Sequence, residues 1–305
     1  METVQQKNRI ILLWPDGAPT SNGLAGVELE DAPNAISNIS NPSLLVYPAT
    51  KPNGKAILMC PGGGLSKISI GHEGRDMAAW FNAQGITYAV LKYRMPNGHR
   101  EVPLDDVRQG LRILRNYSEE WKITKVGVMG ASIGGYIAGH AAIFGVDDAR
   151  PDFQILLYPV ISMLPHLTHL KSRERLLGAN PTHEEEEAFS LELHVNSLTP
   201  PAFIALASDD EAISPENSVL YYLALLKNKV SASLHIYPKG GHSFGFRDSF
   251  IFKHLWTEEL EKSNKRLGLK PEVSMILVRC LLLRSFYINK VISLANARRG
   301  RYFLT

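Results

Sequence analysis

Short apolar runs, several of them rich in β-branched residues, recur along the chain between longer stretches of helical period. They read "SLLVYPA" (43–49), "KAILMC" (55–60), "ITYAVLKY" (86–93), "KVGVMG" (125–130), "FQILLYP" (153–159), "AFIALAS" (202–208) and "ASLHIYP" (232–238). Several are apolar at nearly every position, as strands covered on both faces of a parallel sheet must be. The intervening segments have helix signals. "EGRDMAAWFNAQG" stops at Gly85. "PLDDVRQGLRILRNYSEEW" opens on Pro103 and two aspartates, which suit a helix N-terminus, and sets Val107, Leu111 and Leu114 on one face. "PENSVLYYLALLKNK" begins at Pro215 and ends in lysines. Alternating strand and helix predict an α/β fold: one doubly wound, mostly parallel sheet with right-handed crossovers.

One interval breaks the rhythm. Residues 162–200 contain scattered histidines, "SRERLLG", the acidic run "HEEEEAF" and "NSLTPP". The interval is too long for a plain loop, which predicts a short helical cap inserted over the strand ends. The acids Glu184–Glu187 are expected at a solvated helix N-terminus; four consecutive carboxylates lack the spacing of metal ligands. "FIFKHLWTEELEKSNKRLGL" reads as a closing amphipathic helix, so the main domain is expected over residues 1–269, with 270–305 as a tail.

Composition adds three constraints. The 305 residues are 45% hydrophobic and 21% charged, enough for one large α/β core and unlike a disordered or membrane-spanning chain. The net charge of +3 hides an asymmetry: residues 270–305 hold seven basic residues against one acid, Glu272, so the tail carries +6 and the rest −3. A slightly acidic body gives no sign of a nucleic-acid surface. The tail's "SMILVRCLLL" is too short to span a bilayer. Two readings of the tail stay open, an oligomerisation or membrane-surface segment and an appendage without function. Cys60 and Cys280 have no CxxC spacing, so neither a disulfide framework nor a thiolate zinc site is expected, and Cys60 reads as a small buried hydrophobe. The first residues show no basic, apolar and cleavage-site succession, which predicts a cytoplasmic protein.

The candidate chemistry centres on "KVGVMGASIGGY" (125–136). Gly130-Ala131-Ser132-Ile133-Gly134 fits G-x-S-x-G in the context that pattern requires, a strand before and a helical run after. Such a turn is tight enough that side chains at Gly130 and Gly134 would clash. It would lift the Ser132 hydroxyl above the strand ends. The alternative is a packing turn in which Ser132 caps the helix. A serine nucleophile needs a base, and the base an acid to fix its tautomer. His242, in the glycine-rich "KGGHSFG" beyond a strand, is the candidate base. His235, within that strand, reads as packing, and His254 as solvent-facing. "LASDDEAISPENS" supplies Asp210 as the acid, with Asp209 as the alternative. All three fall just past strand ends, where open α/β sheets place their ligands.

"CPGGGLS" (60–66) also follows a strand. The N–H groups of Gly63 and Gly64, with that of Ile133 after the nucleophile, are the expected oxyanion donors. No Lys-Ser/Thr follows the glycines, which excludes a P-loop. His72, Glu73 and Arg75 either line a substrate site or begin a helix.

These segments resemble the α/β-hydrolase superfamily, and within it the bacterial carbohydrate acetylesterases of the acetyl xylan esterase-like branch. The likeness covers about residues 10–265: "LLWPDGAP", "CPGGG", "HEG", "WFNAQGI", "VLKYR", "GASIGG", "SRERLLGANP", "SDDEAISPENS" and "YPKGGHSFG". Many relatives open the oxyanion loop with histidine where this chain has Pro61, and the tail beyond about Gly268 has no counterpart. The resemblance implies an α/β-hydrolase fold with a helical cap, a serine esterase acting on acetylated carbohydrate, and neither cofactor nor metal. A membrane partner is not expected; a homo-oligomer is left open. Peptidase or lactonase activity on the same fold, or a non-catalytic binding protein, are the competing readings. The large extra domain usual in a prolyl peptidase is not expected, since fewer than 50 residues precede the first clear strands.

Overall fold

The structure, a computed structural model, describes residues 8–266. The strands are β1 (Arg9–Leu12), β2 (Leu29–Ala32), β3 (Ala35–Ser37), β4 (Ser43–Tyr47), β5 (Lys55–Cys60), β6 (Lys67–Ser69), β7 (Thr87–Lys92), β8 (Lys125–Ala131), β9 (Phe153–Leu157), β10 (Ala202–Ala207) and β11 (Ala232–Tyr237). Eight of them form one sheet in the order β1-β4-β7-β5-β8-β9-β10-β11, and β2-β3-β6 form a small separate one. From β7 to β11 every pairing is parallel, while β1 and β4 extend the sheet antiparallel at one edge. The central strands β5, β8, β9 and β10 are buried almost throughout, which explains their unbroken apolar sequences. Gly127 in β8 makes room for its neighbour: a Cβ there would stand 2.1 Å from the ring of Phe153 in β9.

The helices are α1 (Ala78–Ala83), α2 (Glu101–Asn116), α3 (Ser118–Trp121), α4 (Ile133–Phe144), α5 (Leu170–Leu177), α6 (His183–Ala188), α7 (Glu216–Lys227) and α8 (Lys253–Arg266). Helix α4 is buried on all sides from Ile133 to Ile143, as a sequence apolar but for His140 requires. Helix α2 begins two residues before Pro103, which therefore lies in the first turn, where a missing N–H costs nothing. Val107, Leu111 and Leu114 form its buried face.

Asp106 does more than the expected service at a helix start. It is fully buried, takes a forked ion pair from Arg94 at 2.7 Å and accepts a hydrogen bond from Trp14 Nε1 at 2.8 Å. This pair fastens the N-terminal segment to the sheet, and breaking it by removing one partner would strand a buried charge.

The segment between β9 and β10 holds α5 and α6. Thr182 and Glu185 close a capping box at the start of α6. The acidic run is solvated only in part, because Glu186 is buried and paired with Arg173 of α5. Strands β1, β2, β3 and β6 lie outside the sequence expectation. They are three or four residues long, too short for a period of two to declare itself, and β1 is a largely exposed edge. No described helix is long and apolar enough to cross a membrane. The expected domain end at 269, the tail 270–305 and Cys280 lie outside the described residues.

Candidate active site

Strand β8 delivers the chain to Ser132 and α4 begins immediately after it. Ser132 has φ 55° and ψ −125°, a backbone conformation that costs a non-glycine residue about 1–3 kcal/mol. Three hydrogen bonds impose it. The Ser132 N–H donates to the Leu157 carbonyl at 3.0 Å, and its own carbonyl accepts from Gly135 and Val160, each at 3.0 Å. The flanking glycines permit the approach. A Cβ on Gly130 would meet the Gly134 oxygen at 2.2 Å, and one on Gly134 would meet the Cys60 oxygen at 2.1 Å.

Because β5, β8, β10 and β11 run parallel, the segments that follow them share one edge of the sheet. His242, beyond β11, has its Nε2 2.8 Å from Ser132 Oγ and its Nδ1 2.7 Å from Asp210 Oδ2, beyond β10. With Nδ1–H donating to the carboxylate, Nε2 is left with a lone pair facing the Ser132 hydroxyl. The other Asp210 oxygen accepts the N–H groups of Ala212 and Ile213, both at 2.9 Å, so the carboxylate cannot swing away. Asp209 is turned elsewhere: it accepts from the Gly241 N–H at 2.8 Å, and that bond holds its carboxyl below the usual range. His235 stacks on Phe203, with ring centroids 4.6 Å apart, and His254 is exposed on α8. Burial of Cys60 pushes its thiol far above the usual range, leaving it inert.

The loop after β5 folds back so that its carbonyls are engaged away from an oxyanion. Ser69 N–H donates to Gly62, Ser66 and Lys67 N–H donate to Gly63, and Arg175 of α5 donates to Gly64 at 2.7 Å. Gly63 has φ 134°, and a Cβ there would stand 2.1 Å from the Lys67 oxygen, so the turn accepts only glycine. Among the described residues no protein acceptor takes the N–H of Gly63 or Gly64, and Ile133 is the first residue of α4, where an N–H has no intrahelical partner.

Glu73 borders the cleft that holds Ser132, but its carboxylate is engaged by the protein. It is 1% exposed, and its carboxylate accepts from Gly62 N–H at 3.0 Å, Tyr158 O–H at 2.9 Å and Ser243 O–H at 2.7 Å. Tyr158 in turn accepts from Gly245 N–H at 2.9 Å, and burial, then the neighbouring Glu73, hold its hydroxyl protonated far above its ordinary pKa. One carboxylate thus ties the loop after β5 to the end of β9 and to the loop bearing His242. His72 bonds Ser243 Oγ at 3.0 Å and Arg247 at 3.1 Å, and Arg75 reaches Asn34. Sequence reasoning missed Tyr158, Ser243, His169 and Arg175. Only the position of Tyr158 at a strand end and of Ser243 beside His242 signalled them.

Gly63, Gly64, Glu73, Ser132, His169, Ile213 and His242 are among the walls of a cleft of about 190 Å³. Among the described residues no group of three or more His, Cys, Asp or Glu side chains is placed to hold a metal ion.

The parallel sheet, the strained serine turn between strand and helix, and the serine-imidazole-carboxylate chain at the strand ends define an α/β-hydrolase. The family model of the prolyl oligopeptidase family matches residues 91–255, and the chain belongs to that family. It is 36% identical over 252 residues to an acetylxylan esterase of Xylanibacter ruminicola, an alignment covering 81% of this chain and 52% of that protein. It is 35% identical over 213 residues to endo-1,4-beta-xylanase B of Butyrivibrio fibrisolvens, covering 64% of this chain and 33% of that one. The chain therefore spans between a third and about half the length of the curated relatives it matches. Among solved structures, the acetyl ester-xyloside bifunctional hydrolase from Caldicellulosiruptor lactoaceticus superposes with a TM-score of 0.72 at 31% identity, covering 86% of this chain and 97% of that one.

Proposed function

We propose that this chain is a serine carboxylesterase that removes acetyl groups from sugars or xylo-oligosaccharides through an acyl-enzyme. The observation that carries the proposal is the hydrogen-bonded chain Asp210–His242–Ser132 on the wall of a small cleft. His242 Nε2 takes the hydroxyl proton as Ser132 Oγ bonds to the acetyl carbonyl carbon, and the carbonyl electron pair moves to oxygen. The N–H groups of Gly63, Gly64 and Ile133 stabilise that oxyanion. Collapse breaks the bond to the sugar oxygen, which leaves with the proton from His242. Water, deprotonated by the same imidazole, then attacks the acetyl group and releases acetate and free Ser132. Asp210 holds the tautomer throughout, and no step calls for a metal or cofactor.

Two observations support the acetyl-sugar reading over other acyl transfers. The relatives named as acetylxylan esterase and acetyl ester-xyloside hydrolase share 36% and 31% of their aligned residues with this chain. The cleft beside Ser132 is small, about 190 Å³, which suits a short acyl group, and a second cavity of about 410 Å³ shares His242 and Ser243 with it. The family's own description supports a second reading, peptide cleavage, because the same relay serves amides. Acetate release from acetylated xylo-oligosaccharides, measured beside p-nitrophenyl acetate, p-nitrophenyl butyrate and a prolyl peptide, separates the two. Acetate release with a preference for acetyl over butyryl esters is expected; cleavage of the peptide without acetate release would refute the proposal.

A further inference from the structure

We propose that His169 recognises the sugar leaving group, its Nε2 hydrogen-bonding a ring hydroxyl near the ester. The inference rests on the acetyl-sugar reading and deepens it by assigning a specificity-determining residue.

His169 flanks the start of α5 and is the one residue of the 162–200 segment on the wall of the cleft that holds Ser132 and His242. Its ring is aimed by a built contact. Nδ1 bonds Ser172 Oγ at 2.7 Å, and Ser172 is fully buried, which fixes both the ring plane and the nitrogen left over. Among the described residues Nε2 has no hydrogen-bond partner.

The helix carrying this ring is itself fastened to the oxyanion loop. Arg175, one and a half turns further along α5, donates to the Gly64 carbonyl at 2.7 Å, and a Cβ on Gly64 would stand 3.9 Å from His169 Cε1. The register between His169 and the oxyanion donors is therefore set by protein contacts and not by substrate.

The electrostatic surroundings select the ligand. The charged and titratable groups acting on the ring are His242, Arg175 and Lys171, and the one carboxylate on the cleft wall, Glu73, is already taken by three donors. Burial first, then the neighbouring His242, Arg175 and Lys171, hold the imidazole below its ordinary pKa, so near neutral pH it is uncharged and able to donate or accept one hydrogen bond. A neutral polyhydroxyl leaving group fits that environment. A phenolate leaving group offers no hydroxyl to it.

The test compares wild type, His169→Ala and His169→Gln on acetylated xylo-oligosaccharide and on p-nitrophenyl acetate. The ratio of kcat/KM for the sugar ester to that for the phenyl ester should fall about tenfold or more in His169→Ala, because a polar group's lost partner discriminates at least that strongly. His169→Gln, which keeps a donor and an acceptor at similar reach, should restore the ratio to within about threefold. Equal losses on both substrates, or no change on the sugar, would overturn the assignment of His169 alone. A wild type that hydrolyses the phenyl ester but releases no acetate from any acetylated sugar would overturn the acetyl-sugar reading and this assignment with it.

Discussion

Replacing Glu73 by alanine tests how the oxyanion loop is held. The substitution removes the acceptor for Gly62 N–H, Tyr158 O–H and Ser243 O–H together. These three do not suffer equally. Ser243 retains His72 Nε2 at 3.0 Å as a partner, whereas the Gly62 N–H cannot rotate and the buried Tyr158 hydroxyl keeps only the bond it accepts from Gly245. Two stranded buried donors cost roughly 1–3 kcal/mol each, so the variant should lose about 2–6 kcal/mol of stability, seen as a fall in Tm of roughly 5–10 °C. Freeing Gly62 also releases the adjacent Gly63 from its place. Loss of one oxyanion donor lowers kcat by about 10²–10³ with little change in KM, because the bond strengthens only in the transition state. Steady-state kinetics on p-nitrophenyl acetate and thermal unfolding of the same preparation read both effects. A Glu73→Ala variant with kcat within threefold of wild type and an unchanged Tm would refute the reasoning.

Three further outcomes follow from the geometry. Gly134→Ala would set a methyl group 2.1 Å from the Cys60 carbonyl and 2.5 Å from that of Pro61, and since both neighbours are backbone, kcat should fall at least about 100-fold while far-UV circular dichroism shows a folded protein. Asp210→Asn keeps an oxygen for the Ala212 and Ile213 N–H groups but offers the wrong partner to His242 Nδ1–H, so kcat should fall roughly 10³–10⁴-fold with Tm little changed. His140, buried in α4 against Phe144, has its pKa lowered from 6.5 to about 3 by burial first and then by Arg108 and His194. A depressed folded pKa means the unfolded chain binds the proton first, so its neutral, stabilising contribution is complete above pH 6.5 and is lost as pH falls toward 3. Between pH 7.5 and 5 this group alone should remove about 2 kcal/mol, a loss that urea unfolding should find absent in His140→Leu.

The legible part of the fold was what repetition makes visible. Strands β5, β8, β9 and β10 are apolar at successive positions because each is covered on both faces, and the serine turn announces itself because two glycines must flank it. Ser132 and Asp210 could be singled out because each follows such a strand, and His242 because it follows the parallel edge strand β11. The choice between Asp209 and Asp210 was not local: adjacent residues at a strand end face opposite ways, and only the loop carrying Gly241 and His242 distinguishes them. Glu73 was legible as a polar residue near the site but not as a buried brace, since its three partners come from segments 11, 85 and 170 positions away. Glu186 was hidden in a run of acids that looked uniformly solvated, although its pairing with Arg173 buries it. The short strands β2, β3 and β6 exist through pairing with one another, and no period within three or four residues betrays that.

The account depends most directly on Ser132 being the nucleophile that His242 activates at 2.8 Å. Intact mass and peptide mapping after treatment with a fluorophosphonate probe measure this. A single adduct on Ser132, formed more slowly when saturating acetyl ester is present during labelling and absent from both Ser132→Ala and His242→Ala, is the expected result. Labelling of another residue, or a folded Ser132→Ala variant that hydrolyses p-nitrophenyl acetate at the wild-type rate, would contradict it.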